Sequence, residues 1–187
     1  MLHAHTKALY SYWDSRRNGA AIPNRTDIAP AAIGNLLSRL FILQRADADH
    51  HVFRLAGTGV CDLYRREFRD QNFLSLWQGF DRDHMRALLE AAIIGPAPAS
   101  ALISAITLEG NAIDAEISLF PLNGTHGQTD RILGLFQPLD DIGVLNKRPI
   151  VRQIIREARL PARVRASGIT GLKHGSAMVP ARAANDA

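Results

Sequence analysis

The run RLAGTGVCDLYRRE, residues 54–67, sets Gly57 and Gly59 between a strand-like and a helix-like stretch, the layout of a phosphate-binding turn. A dinucleotide fingerprint needs a third glycine where this chain has Asp62, and a carboxylate there repels pyrophosphate. A Walker loop needs four residues between its glycines and a Lys-Ser/Thr pair, both absent from this run. The run therefore reads as a structural corner.

The remaining chemistry-bearing residues are scattered. His84, flanked by Asp81 and Asp83, is the one histidine on a firm helical pattern, and either haem ligation or acid/base work would fall to it. On the helical wheel it flanks the apolar stripe, which favours a solvated first turn. Asp47, Asp49, His50 and His51 could gather a metal, but no register fixes them, so exposed loop polarity accounts for them and no metal site is assigned. His3 and His5 lie in a terminus, and no histidine is tied by spacing to a nucleophile. Cys61, the only cysteine, excludes an internal disulfide and reads as a small buried thiol in a reducing, cytoplasmic compartment. The chain is accordingly read as non-catalytic, with its cofactor unknown.

At 187 residues and 47% hydrophobic, the chain suits one domain with an appendage. Its start, MLHAHTKALYSYW, lacks the unbroken apolar stretch of a signal peptide. Gly95, Pro96 and Pro98 break the uncharged run 91–108, which reads as helix, turn and strand, with no transmembrane segment. The net charge of +4 is divided. Residues 1–141 hold 13 Lys/Arg against 16 Asp/Glu, and residues 142–187 hold 9 against 2. A basic tail of this kind suits an acidic partner, nucleic acid or an anionic surface.

Two N-terminal helices are expected, one in TKALYSYWDSRRNG and one in DIAPAAIGNLLSRL with Asp27 as cap. Strands follow at 40–45 and 52–58, where alternation puts Phe53 and Leu55 on one face. The helix 81–93 is capped by Asp81 and carries Met85, Leu88, Leu89, Ala92 and Ile93 as its stripe. Three strands close the set: ALISAITL, AIDAEISLF and RILGLFQPL. In the second of these, Asp114, Glu116 and Ser118 should form a wet face. PIVRQIIREARL reads as a short basic amphipathic helix, with Arg152, Arg156 and Arg159 along one side. Residues 161–187 hold too few apolar side chains to offset the entropy of ordering them, and are expected to be disordered. The expected organisation is a helical segment 1–39, a core 40–140, a linker and short helix 141–160, and the tail 161–187.

This order, helices then two strands, short helices and three strands, gives an α+β class with a five-stranded antiparallel sheet and helices on one face. It resembles the PAS (Per-ARNT-Sim) fold, and local residues resemble a family of small single-domain bacterial PAS-like proteins. These are Tyr12-Trp13, Arg16-Arg17, the Pro23, Arg25, Asp27, Ile28, Pro30 and Ile33 segment, Phe53 to Thr58, Phe73-Leu74 and Leu76-Trp77. The resemblance covers residues 8 to 138. In one departure, Arg69-Asp70 stands where such proteins often carry Thr-Gly.

The resemblance implies a sensory or protein-interaction module that acts through a cavity between sheet and helices, or through the outer sheet face and the N-terminal helices. The cavity set would be Phe53, Leu55, Cys61, Tyr64, Phe73 and Trp77, with Met85, Leu88, Ile106, Ile117 and Leu135. The same residues read as plain core that fills the space. Partner contacts would come from Leu9, Tyr12 and Trp13 and from Arg152, Arg156 and Arg159. A signalling protein is the expected partner, with a small-molecule ligand and a homodimer left open. The alternative is binding to nucleic acid or an anionic surface through the tail, which its lack of interleaved aromatics argues against for nucleic acid.

Overall fold

The computed structural model describes residues 2–125 and 127–159. Helix α1 (Ala4–Ser15) opens the chain, and 3-10 turns at Arg25–Asp27 and Pro30–Arg39 lead into strands β1 (Leu40–Asp47) and β2 (His50–Ala56). Helix α2 (Thr58–Tyr64), a 3-10 turn at Phe73–Leu76 and helix α3 (Gly79–Ile94) follow. Strands β3 (Ala99–Thr107), β4 (Ala112–Asn123) and β5 (Thr129–Pro138), a 3-10 turn at Ile142–Leu145 and strand β6 (Ile150–Arg159) complete the fold. The sheet order is β2-β1-β5-β4-β3-β6, antiparallel at every pairing.

The sheet thus has six strands where five were expected, because 150–159 is strand and not helix. Doublets of β-branched residues at 150/151 and 154/155 imitate a helical stripe, yet such residues suit a pleated surface better. Register shifts against β3 reconcile the doublets with pairing: Ile150 faces Thr107, Arg152 faces Ile106, Ile155 faces Ile103 and Glu157 faces Leu102. Val151 and Arg156 are the extra residues. The second N-terminal helix is likewise a run of 3-10 turns kinked at Ile33, next to the poor helix formers Gly34 and Asn35. Its apolar residues still reach the core, with Ile33 and Leu36 buried. Asp27 accepts from the Asn24 backbone, and Asp81 accepts from the edge-strand N–H of Ile155 at 2.9 Å, so neither carries out the capping expected of it. The disorder expected for 161–187 lies outside the described residues.

Each face of the sheet has its own core. The concave face, with Phe41, Leu43, Ile117, Ile132 and Phe136, is covered by α2, the Phe73–Leu76 turn and α3. Leu40, Ile42, Leu133, Leu135, Phe120 and Leu122 on the convex face pack beneath Leu9 and Trp13 of α1. The face expected to be wet is therefore dry over much of its area: Glu116 is 1% exposed, and Ser118 is buried beside it.

Gly57 answers for the corner after β2. Its φ of −67° is ordinary, but a Cβ there would be driven into the carbonyl oxygens of Leu37 and Ser38. Close approach, not unusual backbone angles, demands the glycine. Gly134 in β5 similarly leaves room for the ring of Phe41, its partner in β1.

The Arg69-Asp70 departure is absorbed locally. Asp70 takes the left-handed conformation, φ 61°, its N–H donates to the Phe53 carbonyl at 2.9 Å, and its carboxylate meets Arg54 at 2.6 Å. Asp70→Ala should lower unfolding free energy by about 1–2 kcal/mol, since alanine is strained at that φ. Asp70→Gly, which relieves the strain while losing an exposed ion pair, should stay within about 0.5 kcal/mol of wild type. Urea denaturation of both variants checks the pair.

Candidate functional site

The concave face is occupied by the chain's own aromatic side chains. Phe41 stacks on Phe73 at 5.4 Å and Phe53 on Phe68 at 4.7 Å, while Tyr64 meets Phe68 edge-on at 5.2 Å. Trp77 leans on Phe73 at 6.1 Å. Offset and edge-on rings at these separations add to the burial term. Of the expected cavity set, Phe53, Cys61, Tyr64, Phe73, Trp77, Met85, Leu88 and Ile117 come together here.

Leu55, Ile106 and Leu135 do not. A bulge at Arg54 pairs Leu43 with Phe53 but Ile42 with Leu55, so Leu55 turns to the convex side and is 43% exposed. Ile106 is half-buried on the convex side of β3, and Leu135 belongs to the core under α1. Period-two reasoning loses one residue at each bulge, and every assignment beyond it changes face.

Within the cup, burial pushes the Tyr64 phenol far above its ordinary range. Burial also raises the Cys61 thiol, with Glu67 adding to the effect, and Sγ lies 3.8 Å from Glu67 Oε2. Both groups are held protonated, which suits packing and not nucleophilic attack. The Trp77 indole N–H is buried without a partner among the described residues. His84 sits exposed on α3, away from the cup, so the haem and acid/base readings lose their geometry.

Of the four polar residues expected in an exposed loop, Asp47, Asp49, His50 and His51, only His51 is buried, where it meets Arg45 and Glu90. His51, 0% exposed, stands with Nε2 3.1 Å from Glu90 Oε1, and neither ring nitrogen has an aligned hydrogen bond. Arg45 grips the same carboxylate through Nε at 2.7 Å and an NH2 group at 2.8 Å. The triad ties β1 and β2 to the C-terminal part of α3. His50 and Asp47 remain exposed, paired with each other at 2.8 Å, and no group of three or more metal-ligating side chains occurs among the described residues.

On the convex side, α1 is seated by polar contacts. Glu116 accepts from the His3 N–H at 3.3 Å, Ser118 donates to Thr6 at 3.3 Å, and the Trp13 indole donates to the Pro121 carbonyl at 2.9 Å. Arg39 and His5 both meet Gln137 Oε1, at 2.9 and 2.8 Å. Leu9 and Trp13, expected to contact a partner, are buried in this layer. Tyr12 is half-buried, Arg152 and Arg156 stand exposed, and Arg159 pairs with Glu157 at 2.8 Å. No sequence pattern singled out Glu116 or Glu90, because a carboxylate inside an alternating strand or amphipathic helix reads as solvent-facing.

An antiparallel sheet in the order 2-1-5-4-3, cupped over short helices and extended by one strand, defines a PAS-like α+β fold class. The chain belongs to the PAS domain family, whose model matches residues 1–137. Among solved structures it is similar to an RsLOV variant, at 18% identity over 57% of this chain and 63% of that one, TM-score 0.44. The chain thus spans less than two thirds of that structure. It is similar also to the PAS domain of a protein from Colwellia psychrerythraea, at 14% identity over 58% and 95%, TM-score 0.45. A third likeness is to the Rhodobacter sphaeroides LOV protein, at 14% over 63% and 72%, TM-score 0.45. No curated protein matches the sequence. Among the described residues no helix is long and apolar enough to cross a membrane.

The triad makes stability acid-sensitive. Burial holds His51 below the ordinary histidine value of 6.5, with Arg45 acting the same way and Glu90 against it. The hydrogen bond from Arg45 holds Glu90 below the carboxylate value of 4.5. The unfolded chain binds the extra proton in both cases, so each contribution is complete above its unfolded pKa and is lost as pH falls. Melting temperature should begin to drop as pH goes below about 6.5 and drop further below about 4.5. In His51→Gln the first of the two losses should disappear, as thermal melts from pH 8 to 4 will show.

Proposed function

We propose that the chain is a non-catalytic PAS sensory and protein-interaction module of bacterial signalling, working in the cytoplasm and passing its signal by contact with another protein. The observation that carries this reading is the uncovered part of the convex sheet face. Leu102, Ile106 and Ile154 lie half-buried there, beside exposed Arg152 and Arg156 and next to the seat of α1. An apolar strip flanked by arginines is the composition of a protein interface. Membership in the PAS family supports a sensory role, and a lone buried thiol suits a reducing compartment.

The partner is expected to compete with, or report on, the position of α1, since the helix is fixed by directional polar contacts that have a second arrangement in water. Binding to an anionic surface through the basic C-terminal region stays as a second reading, on the charge division of the sequence. Its trial is a chain ending at Arg159, because an earlier cut removes a strand of the sheet.

The immobilised protein, challenged with the soluble proteome of its source, should capture a saturable partner. Leu102→Glu/Ile154→Glu should reduce that capture by about tenfold or more while leaving the melting temperature in place. Equal capture by the folded double variant, or no saturable capture by wild type, overturns the reading. Capture by polyanions that collapses with salt and with residues 160–187 favours the second reading instead.

A further inference from the structure

A cleft of about 560 Å³ opens between α2 and the segment that links β5 to β6. It is separate from the aromatic cup, although Leu145 in its floor also belongs to the cup's core. Its size falls within the range of small-molecule sites, roughly 300–1,000 Å³. Leu63 and Leu145 make an apolar floor, and Ile142, 53% exposed, stands at the rim.

The polar part of the lining is unbalanced. Arg65, Lys147 and Arg148 face the opening with Asp62 as the single carboxylate. Arg148 is shared with Glu109 at 3.3 Å, whereas among the described residues Arg65 and Lys147 have no carboxylate within ion-pair distance. The backbone marks the same place. Arg65 (φ 53°), Asn146 (φ 49°) and Lys147 (φ 58°) are three of the five described non-glycine residues with positive φ, and all three line the cleft. Arg65 and Asn146 are the left-handed caps that end α2 and the Ile142–Leu145 turn, so the cleft wall is built from two helix ends that hold Arg65 and Lys147 at its mouth.

We infer that this cleft binds a small amphipathic organic anion, its apolar body on Leu63, Leu145 and Ile142 and its carboxylate or phosphate head between Arg65 and Lys147. A bare inorganic anion would leave the apolar floor wet, and a neutral apolar ligand would leave the cations without a counter-charge. Among the described residues no aromatic ring lines the cleft, which argues against a stacked base. The site joins the corner after β2 to the start of β6, so occupancy bears on the strand that carries Arg152 and Ile154 to the proposed partner face. In that respect it rests on the sensory reading, while binding itself is measured with no partner present.

Decanoate, decanol and inorganic phosphate are the probes, read by amide chemical shifts of the full chain. Decanoate should give saturable shifts at Gly59, Leu63, Gly143 and Asn146, with affinity about tenfold or more above decanol, while phosphate gives none. Arg65→Gln/Lys147→Gln should weaken decanoate by about tenfold without changing the melting temperature. Lys147→Gly, which suits the left-handed backbone, should also weaken it and so separates charge from conformation. Equal affinity for decanol and decanoate, indifference to both variants, shifts confined to the aromatic cup, or no saturation overturns the inference. Such a failure would leave the partner-face experiment untouched.

Discussion

A sheet with apolar side chains on both faces cannot stand in water uncovered, and the rest of this molecule follows from how each face is closed. The concave side is sealed by rings and aliphatic side chains from α2, the Phe73–Leu76 turn and α3, through contacts that are dense and largely non-directional. The convex side is covered over β1, β5 and β4 by α1 and the Pro30–Arg39 turns, with a buried polar layer around Glu116, Gln137 and Ser118. Those contacts have defined partners and geometry. Both covers are packed cores, and the convex one adds a buried polar layer.

The concave cover also holds the sheet edge. Strand β6 pairs with β3, while Asp81 of α3 accepts from its Ile155 N–H and Gln153 donates to the Leu76 carbonyl at 3.4 Å. The segment leading into β6 puts Leu145 into the concave core and Lys147 and Arg148 at the surface. Strand β6 is thus the element that joins the α2 side to the uncovered part of the convex face. Population shifts need an element with two arrangements, and under the proposed function that element would be α1, held to the sheet by Glu116, Ser118 and the Pro121 carbonyl.

Much of the fold was legible because strong periodicity and turn residues survive tertiary context. The α3 stripe, the inward half of the β4 alternation, the strand-turn-helix at Gly57 and the cluster from Phe73 to Trp77 all led to the right place. Failures cluster at irregularities. Bulges at Arg54, Val151 and Arg156 break the period of two, which misplaced Leu55 and made β6 resemble a helix. Ile106 and Leu135 were put inside because hydrophobicity says that a side chain is buried, not on which side of a sheet. His51, Glu90 and Glu116 escaped because their burial depends on partners distant in the chain, Arg45 and α1 among them.

The central claim is that the concave side is filled by the protein's own side chains, leaving recognition to the surface. Benzene titration followed through the methyl signals of Met85, Leu88 and Ile117 tests it most directly. Wild type should show no saturable shift, whereas Phe73→Ala, which removes a ring from between Phe41 and Trp77, should bind and shift all three. Saturable shifts of those methyls in wild type would contradict the account.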